Sequence, residues 1–554
     1  MKHPKLLTFA ASFVVAIAAF SMTSVSAADS DFKISGNTLQ EYKGTATSVK
    51  IPNTVRHIAD GAFEGNTRVT SVTIPNTVET IGDEAFYDCK RLSSITIPDS
   101  VTEIGSRAFA ECPKLSRVSL PKNLTIISEG LFSGDTNLNQ VNIPTDVETI
   151  SNGAFYNSGL YSISIPPSVK TIETKAFSYS SKLSNVSFRS GLTKIEDEAF
   201  SYCKALTSVS LPRTIQEMGE SVFLSCTGMT SATLPDGMEN LPRKTFYNCT
   251  ALTSVSLPRS LYSIGERAFY NCRAMTSISI PSMVEEIESE AFSYCVNLRS
   301  VQLPQYLTEL GESAFAYCTR LERVNVPGEL DTLERDVFAY NQSLKTVTLG
   351  DGLRTISDGA FYDCTSLYTL VVPDSVEDIG RSVFPDNVTL RGSNNSFIQY
   401  YAKDRNYKFK LTSDSSSDYP GGVNPTNPTN PIDPTTPGTN TDLIYNGIQY
   451  AGSVMIDTNT YTMAPNNIYD IGVKLAGNAY TKTINVYSSR TGIATVQRLA
   501  NGNYRVTGKT PGTCYVVVEV LDGNRVLNHV SIRFDVVNGV TQHGQAARNR
   551  SYFN

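Results

Sequence analysis

Cysteine is the residue type in this sequence whose spacing could most readily support chemistry. Nine of the ten cysteines follow a recurring phenylalanine by three residues, and Cys514 stands apart in an apolar stretch. Cysteines at regular spacing can pair as disulfides or bind zinc as thiolates. Small polar residues replace cysteine elsewhere in this column, which favours reduced, buried side chains that hydrogen-bond to nearby backbone. The column comprises Cys89, Cys112, Cys203, Cys226, Cys249, Cys272, Cys295, Cys318 and Cys364, and its substitutes are Asn66, Asp135, Ser158, Ser180, Asn341 and Asn387.

Residues that could form a catalytic centre do not group in a recognisable motif. His57, His529 and His543 are isolated in sequence, and no zinc-protease, phosphate-loop or serine-nucleophile motif occurs. The acidic pairs at residues 285–286 and 197–198 fall at positions that are charged in several repeats, so we expect them to be solvated. The sequence therefore predicts no enzymatic activity, no cofactor and no metal site.

Net charge and the N-terminal segment bear on the class of partner and on the cellular location of the protein. A formal net charge of −6 argues against a nucleic-acid partner, since phosphate-binding surfaces need clustered lysine and arginine. Residues 2–5 include two lysines, residues 6–20 are mostly apolar, and small residues lead up to Ala27, which is typical of a signal peptide. We therefore expect cleavage of residues 1–27, an extracellular or cell-surface location, and no membrane span after cleavage.

A repeat of 23 residues occupies most of the chain. Its marker is a phenylalanine at fifteen positions, separated by thirteen intervals of 23 residues and one of 22. In the repeat at residues 92–114, alternation up to Ile97 predicts a strand that Pro98 ends. Gly105 is expected to reverse the chain with a positive φ, and Phe109 to lie on a tight helical turn. The markers are Phe63, Phe86, Phe109, Phe132, Phe155, Phe177, Phe200, Phe223, Phe246, Phe269, Phe292, Phe315, Phe338, Phe361 and Phe384.

These repeats predict a solenoid. One repeat cannot bury its own apolar side, so neighbouring repeats must stack and share a continuous core. The predicted fold class is a leucine-rich-repeat type of solenoid, with a parallel β-sheet and short helical or 3-10 turns. We expect it to span residues 28–411 as about fifteen units, with end caps near residues 32–42 and 396–409.

The repeat resembles the leucine-rich repeats of the BspA-like, or treponemal, family. The resemblance rests on the I-P, I-G and A-F-x-x-C elements at residues 97–98, 104–105 and 108–112, which recur over about residues 31–410. It implies a bacterial surface protein. It also implies a role in adhesion, because proteins of this family are associated with host matrix, co-aggregation or epithelial attachment.

A second domain is predicted beyond a change in composition. Residues 412–442 are rich in Pro, Asn, Thr and Ser, which predicts an extended linker without a core. Residues 443–540 alternate polar and apolar residues in short runs separated by turn signals, which predicts a small all-β sandwich. The I-A-T-V run at 493–496 and the P-G-T run at 511–513 resemble bacterial Ig-like group 2 domains, which implies a spacer or wall-proximal module. Residues 541–554 are expected to form a disordered tail.

Two columns of surface residues are candidates for binding a partner. Serine and threonine dominate the polar face of the strands, as suits solvent, but richer side chains follow toward the C-terminal end of this expected concave face. Tyrosines one or two residues after the phenylalanine could brace neighbouring repeats or hold a protein or a sugar chain. The strand candidates are Arg299, Gln302, Glu322, Arg323, Asn325, Lys345 and Tyr368, and the tyrosine candidates are Tyr270, Tyr294, Tyr317, Tyr340 and Tyr362.

Together these features predict a secreted or cell-surface, adhesin-like binding protein. Its solenoid, expected to be monomeric, would recognise an extracellular protein of the host or of neighbouring cells. A glycan-binding accessory protein is one alternative, although the absence of tryptophan weakens it. A structural surface protein that assembles with copies of itself is the other.

Overall fold

The computed structural model describes residues 27–413 and parts of the C-terminal region. The described parts beyond residue 413 are 442–445, 448–451, 454–456, 460–471, 473–475, 483–488, 490–499, 503–522 and 525–537. Nearly all of the predicted signal peptide and linker, and the whole predicted tail, lie outside the described residues. Among the described residues, no helix combines the length and the apolar character needed to cross a membrane.

In most coils the first strand pairs in parallel with its equivalent in a neighbouring coil. Ser71, Val72 and Thr73 lie opposite residues 94–96, one repeat further on. The middle residue is buried and its neighbours face outward, because side chains alternate along a strand. These first strands are Ser48–Lys50, Ser71–Thr73, Ser94–Thr96, Arg117–Ser119, Ser162–Ile165, Asn185–Phe188, Ser208–Ser210, Ser231–Thr233, Ser254–Ser256, Ser277–Ile278, Ser300–Val301, Arg323–Asn325, Thr346–Thr348, Thr369–Val371, Thr389–Gly392 and Lys408–Leu411.

A second, shorter strand follows the proline turn of most coils and builds a second set of parallel sheets. This second set of sheets begins at the N-terminal cap. There, Phe32–Ser35 and Thr38–Tyr42 form an antiparallel hairpin, and Thr38–Tyr42 pairs with residues 57–58 of the first coil. The second strands are His57–Ile58, Thr80–Ile81, Glu103–Ile104, Ile126–Ile127, Thr149–Ile150, Thr171–Ile172, Lys194–Ile195, Glu217–Met218, Asn240–Leu241, Ser263–Ile264, Glu286–Ile287, Glu309–Leu310, Thr332–Leu333, Thr355–Ile356 and Asp378–Ile379.

The segment around each marker phenylalanine is a succession of tight turns, where a short helical turn was expected. Two residues per coil adopt the left-handed conformation, as Glu84 (φ 53°) and Asp88 (φ 58°) do. The backbone N–H of Phe86 donates to the carbonyl of Ala108 in the next coil at 2.7 Å. The cost of a left-handed residue is about 1 kcal/mol, and such bonds between coils offset it. This segment is therefore a third ladder that joins the coils.

Gly105 is required for close approach rather than for the positive φ that the sequence suggested. Its φ is not among the positive values of the chain. A Cβ atom at this position would lie 2.4 Å from the backbone nitrogen of Asp83 in the preceding coil. The glycine thus lets successive coils pack backbone against backbone at the end of the second strand.

A stack of phenylalanine rings runs through the core. Consecutive rings from Phe63 to Phe384 lie 4.8 to 6.3 Å apart, and the interval of 22 residues leaves Phe155 and Phe177 stacked at 5.2 Å. Tyr401 and Tyr407 close the C-terminal end by meeting the Phe384 ring edge-on. They belong to a C-terminal cap formed by the helix Phe397–Asp404 and the strand Lys408–Leu411, which pairs with residues 389–392. The predicted solenoid class is confirmed.

The C-terminal residues form three β-sheets, compatible with the predicted small all-β domain. Pairings within them are antiparallel, apart from one parallel pair between residues 460–463 and 533–536. Met463, Ile471, Val506 and Phe534 are among the residues of its core. The strands are Asp442–Tyr445, Ile448–Ala451, Val454–Ile456, Thr460–Met463, Ile468–Ile471, Val473–Leu475, Thr483–Ser488, Ala494–Arg498, Tyr504–Gly508, Gly512–Asp522 and Arg525–Val536.

Candidate functional site

The strand candidates occupy neighbouring positions on the first-strand sheets of four consecutive coils. Parallel register places Arg323 between Ser300 and Thr346, and Asn325 beside Thr348. Adjacent strands lie about 4.8 Å apart, so these side chains form a continuous surface. All but the partly buried Glu322 are exposed. We call this surface the sheet strip, and it consists of Arg299, Gln302, Glu322, Arg323, Asn325, Lys345 and Tyr368.

One edge of the sheet strip is a row of four residues at the same position of successive coils. The N–H of Glu322 donates to the carbonyl of Arg299, and the N–H of Lys345 donates to the carbonyl of Glu322. The Lys345 ammonium lies 3.8 Å from the Glu322 carboxylate, and Tyr368 at the end of the row is 54% exposed. Cation, anion and aromatic ring therefore stand side by side on a rigid scaffold.

The tyrosine candidates lie on the turn segment of the coil and not on the sheet strip. Tyr294, Tyr317 and Tyr340 stack nearly parallel, with ring centroids 4.4 and 4.3 Å apart. Tyr270 is tilted against Tyr294 at 5.3 Å, and Tyr362 meets Tyr340 edge-on at 5.4 Å. Burial raises the pKa of Tyr270 and of Tyr317. The three central rings, Tyr294, Tyr317 and Tyr340, stack face to face, and we call the whole series of five the tyrosine ladder.

The cysteine column is structural, as the sequence predicted. The Cys89 thiol donates to the carbonyl of Phe63 in the preceding coil at 3.2 Å, and other column cysteines repeat this bond. The nine cysteines of the column are free thiols, and all ten cysteines of the chain are buried. Burial raises the pKa of Cys226, Cys295 and Cys364 to about 12. Within the described part of the chain, no group of three or more His, Cys, Asp or Glu is placed to hold a metal ion.

The acidic pairs have roles that the sequence did not indicate. Asp197 accepts a hydrogen bond of 2.8 Å from the backbone N–H of Glu220, so it joins two coils. Glu285 was expected to be solvated, and this expectation is wrong because the residue is only 5% exposed. The C-terminal domain covers it, and its carboxylate lies 3.2 Å from the guanidinium of Arg490.

Sequence reasoning missed a second surface, on the turns that join the two strands of a coil. We call it the docking edge, and it consists of Arg259, Tyr262, Met283, Glu285 and Tyr306. A signal was present in the sequence. Small or polar residues stand in nearly every other repeat at the position of Met283 and Tyr306, and no other repeat has an aromatic residue at the position of Tyr262.

Comparison with known proteins identifies the repeats. The sequence matches the family described as BspA type leucine rich repeat region in six copies, over residues 33–161, 148–276 and 262–391. A solved leucine-rich repeat protein from Bacteroides ovatus is 30% identical, over 56% of this chain and 86% of its own, with a TM-score of 0.49. A leucine rich cell surface protein from Faecalibacterium prausnitzii is 24% identical, over 58% and 94% of the two chains, with a TM-score of 0.34. The pneumococcal vaccine antigen PcpA is 19% identical, over 68% and 95%, with a TM-score of 0.36. No curated protein matches the chain.

Proposed function

This chain belongs to the BspA-type leucine-rich repeat family, and from that premise we propose that it is a non-enzymatic protein of the bacterial exterior that binds an extracellular protein through its sheet strip. A solenoid of this type fits a protein-binding role, because its stacked coils present a broad and rigid surface. The predicted signal peptide gives the proposed location. The partner we propose is a protein of the host or of a neighbouring cell.

The change in side chains along the first-strand sheets is the observation that carries the proposal. Ser208, Ser231 and Ser254 stand in the central coils where Arg323 stands in the sheet strip. Arginine and tyrosine contribute most binding energy at protein interfaces, whereas serine contributes little. Strand residues are also held in place before binding, which lowers the entropy cost of recognition.

A protein partner is favoured over a glycan by the packing of the tyrosine ladder. A sugar ring binds an aromatic side chain through the open face of the aromatic ring. Tyr317 has a neighbouring ring about 4.4 Å away on either side, so its faces are already covered. The ladder is therefore assigned to bracing the coils, with rings that contribute beyond their buried area.

A binding assay on the full chain tests the proposal. The probes are immobilised extracellular-matrix proteins and mucin, and the site variant combines Arg299→Ala, Arg323→Ala, Lys345→Ala and Tyr368→Ala. The matched control combines Thr207→Ala, Thr230→Ala, Thr253→Ala and Thr276→Ala, which lie in central coils at the position of Arg299. We expect the site variant to lose at least about tenfold in affinity, since hot-spot residues contribute 2 kcal/mol or more each. The control should bind as the unmodified protein does.

Three results would count against the proposal. The first is equal binding by the site variant and the control. The second is binding confined to a glycan array, which would support the sugar-binding alternative. The third is concentration-dependent assembly in light scattering without any partner, which would support a self-assembling structural protein.

A further inference from the structure

The C-terminal domain was expected to act as a spacer. We infer instead that it docks on the docking edge of its own solenoid, so that the two domains form one composite body. The interaction surface on the solenoid is the set of five residues defined above. Its partner is the outer face of the strand Gly512–Asp522 together with Arg490.

An apolar contact forms the centre of this interface. The rings of Tyr306 and Tyr515 stack with centroids 4.4 Å apart. Met283, Tyr515 and Val517 form one buried cluster, in which Met283 is 1% exposed. Since Met283 and Tyr306 belong to consecutive coils, the domain spans neighbouring repeats of the solenoid.

The sequence of the docking edge supports this contact independently. At the position of Met283 and Tyr306, several other coils carry hydroxyl residues that bond to the preceding coil. The hydroxyl of Ser100 donates to the carbonyl of Val78 at 2.7 Å, and Ser260 and Ser375 make equivalent bonds. Two consecutive coils give up this bond for large apolar side chains at a surface turn. Neighbouring exposed apolar side chains of this size mark a surface that another protein surface covers.

The strand of the C-terminal domain is complementary, because it is buried on both faces. Cys514, Val516 and Val518 point into the core of their own domain. Residues 515, 517 and 519 alternate with them and are also buried. A strand of a free domain with one face in solvent would alternate apolar and polar residues, whereas continuous apolar runs indicate cover on both faces.

Two ion pairs cross the interface in opposite directions. The solenoid supplies Arg259, whose guanidinium lies 2.9 Å from the carboxylate of Glu519 in the C-terminal domain. The C-terminal domain supplies Arg490, which lies over the Tyr262 ring at 3.5 Å and bonds Glu285. Glu519 and Glu285 are each only 5% exposed. A buried carboxylate needs a close cation to offset its lost hydration, and here each domain supplies the cation for the other.

The connecting segment is long enough for docking within one chain. It spans 28 residues, from 414 to 441, and an extended Pro-rich chain covers about 3.1 Å per residue, or roughly 90 Å in all. From the last strand at residues 408–411 back to the docking edge is five to seven coils, which is roughly 25–35 Å at one strand spacing per coil. Docking then also creates a cleft of about 670 Å³, lined by Arg213 and Asp236 from the solenoid and by Asn485 and Thr491 from the C-terminal domain.

Hydroxyl-radical footprinting of the full chain tests the inference, because methionine and tyrosine side chains report their own exposure. We expect Met283 in the unmodified protein to be oxidised at least tenfold more slowly than in the urea-unfolded chain. The double variant Arg259→Glu, Arg490→Glu should expose Met283 and raise its rate at least fivefold. Met275, which is fully buried in the solenoid core, should stay protected and so reports that the variant is folded.

Two further variants sharpen the test. Lys122→Glu changes the same position six coils earlier, where Lys122 forms an exposed pair with Asp99 at 3.0 Å, and it should leave Met283 protected. The exchange variant Arg490→Glu, Glu285→Arg should restore protection relative to Arg490→Glu alone. Fast oxidation of Met283 in the unmodified protein would overturn the inference. So would protection that is lost on dilution together with a dimeric mass, since the contact would then join two chains.

Discussion

Asp135 accepts a hydrogen bond of 2.8 Å from the backbone N–H of Cys112, and it is fully buried in the column where most coils have cysteine. Its second carboxyl oxygen has no hydrogen-bond partner among the described residues. Burial raises the pKa of Asp135 well above its usual value. The carboxyl group is the only acid in a column of thiols, hydroxyls and amides, so we expect the stability of this coil to depend on pH.

Asp135→Asn should make the protein more stable at neutral pH and less dependent on pH. In the unfolded chain the carboxyl group ionises near pH 4, whereas in the folded chain it ionises at a higher pH. Its contribution to stability is therefore present below about pH 4 and is lost as the pH rises through the folded pKa. The gain at pH 7 should be about 1–3 kcal/mol, as for a buried polar group that regains its partners. Thermal unfolding of both proteins between pH 4 and pH 8 measures it.

An exposed carboxyl group provides the control for this prediction. Asp146 lies on the surface of the following coil, and Asp146→Asn should leave the free energy of unfolding at pH 7 within about 0.5 kcal/mol of that of the unmodified protein. A gain for Asp135→Asn that is the same at pH 4 and pH 8 would show that the buried charge is not its cause.

The cysteines should resist alkylation in the folded protein. A pKa of about 12 for Cys226, Cys295 and Cys364 leaves roughly one thiol in 10⁴ as thiolate at pH 8, and burial blocks the reagent as well. Mass spectrometry after iodoacetamide treatment should find the native chain unmodified, and all ten cysteines modified in urea. Rapid labelling of the native protein, or disulfides that persist in urea, would refute the structural role.

Removing one ring from the phenylalanine stack should destabilise the solenoid strongly. Phe292 is fully buried between rings at 5.1 and 4.9 Å, so Phe292→Ala leaves a cavity and should cost about 3–5 kcal/mol. Phe397, at the start of the cap helix, is 40% exposed, and Phe397→Ala should cost less than about 1 kcal/mol. Urea unfolding followed by circular dichroism compares the two. Similar losses for both variants would contradict a shared core along the stack.

Replacing a residue that adopts the left-handed conformation by glycine should stabilise its coil. Ser313 has a φ of 56°. Ser313→Gly relieves a strain of about 1–2 kcal/mol but adds freedom to the unfolded chain, so we expect a net gain of up to about 1 kcal/mol. Ser313→Val should lose stability, because a β-branched residue tolerates this conformation poorly. Thermal melting gives both values, and a more stable valine variant would contradict the geometry.

The solenoid was predictable because its signal repeats fifteen times. Phenylalanine spacing defined the coil, and Pro98 located the end of its first strand. The turn geometry was not predictable, since Glu84 and Arg107 are of residue types that seldom adopt a positive φ. Their conformation is imposed by bonds to the next coil, and such bonds exist only after the coils stack.

The two candidate surfaces also differ in how far the sequence alone could predict them. The sheet strip follows from composition, because charged residues interrupt a run of serine and threonine at known strand positions. The docking edge depends on a domain more than 200 residues away in sequence, as the pair of Glu285 and Arg490 illustrates. Met283 and Tyr306 become unusual only when equivalent positions are aligned across the repeats.

The uniform ring stack also bears on how such a chain can change in length. Each marker phenylalanine between Phe63 and Phe384 has a neighbour of the same kind on both sides, and even the coil that is one residue short keeps Phe155 and Phe177 in contact. Excision of a whole coil, for example residues 223–245, would bring Phe200 against Phe246 and rejoin two surfaces that already match. Duplication or loss of one repeat in the gene can therefore lengthen or shorten this protein while the packing of its core stays the same.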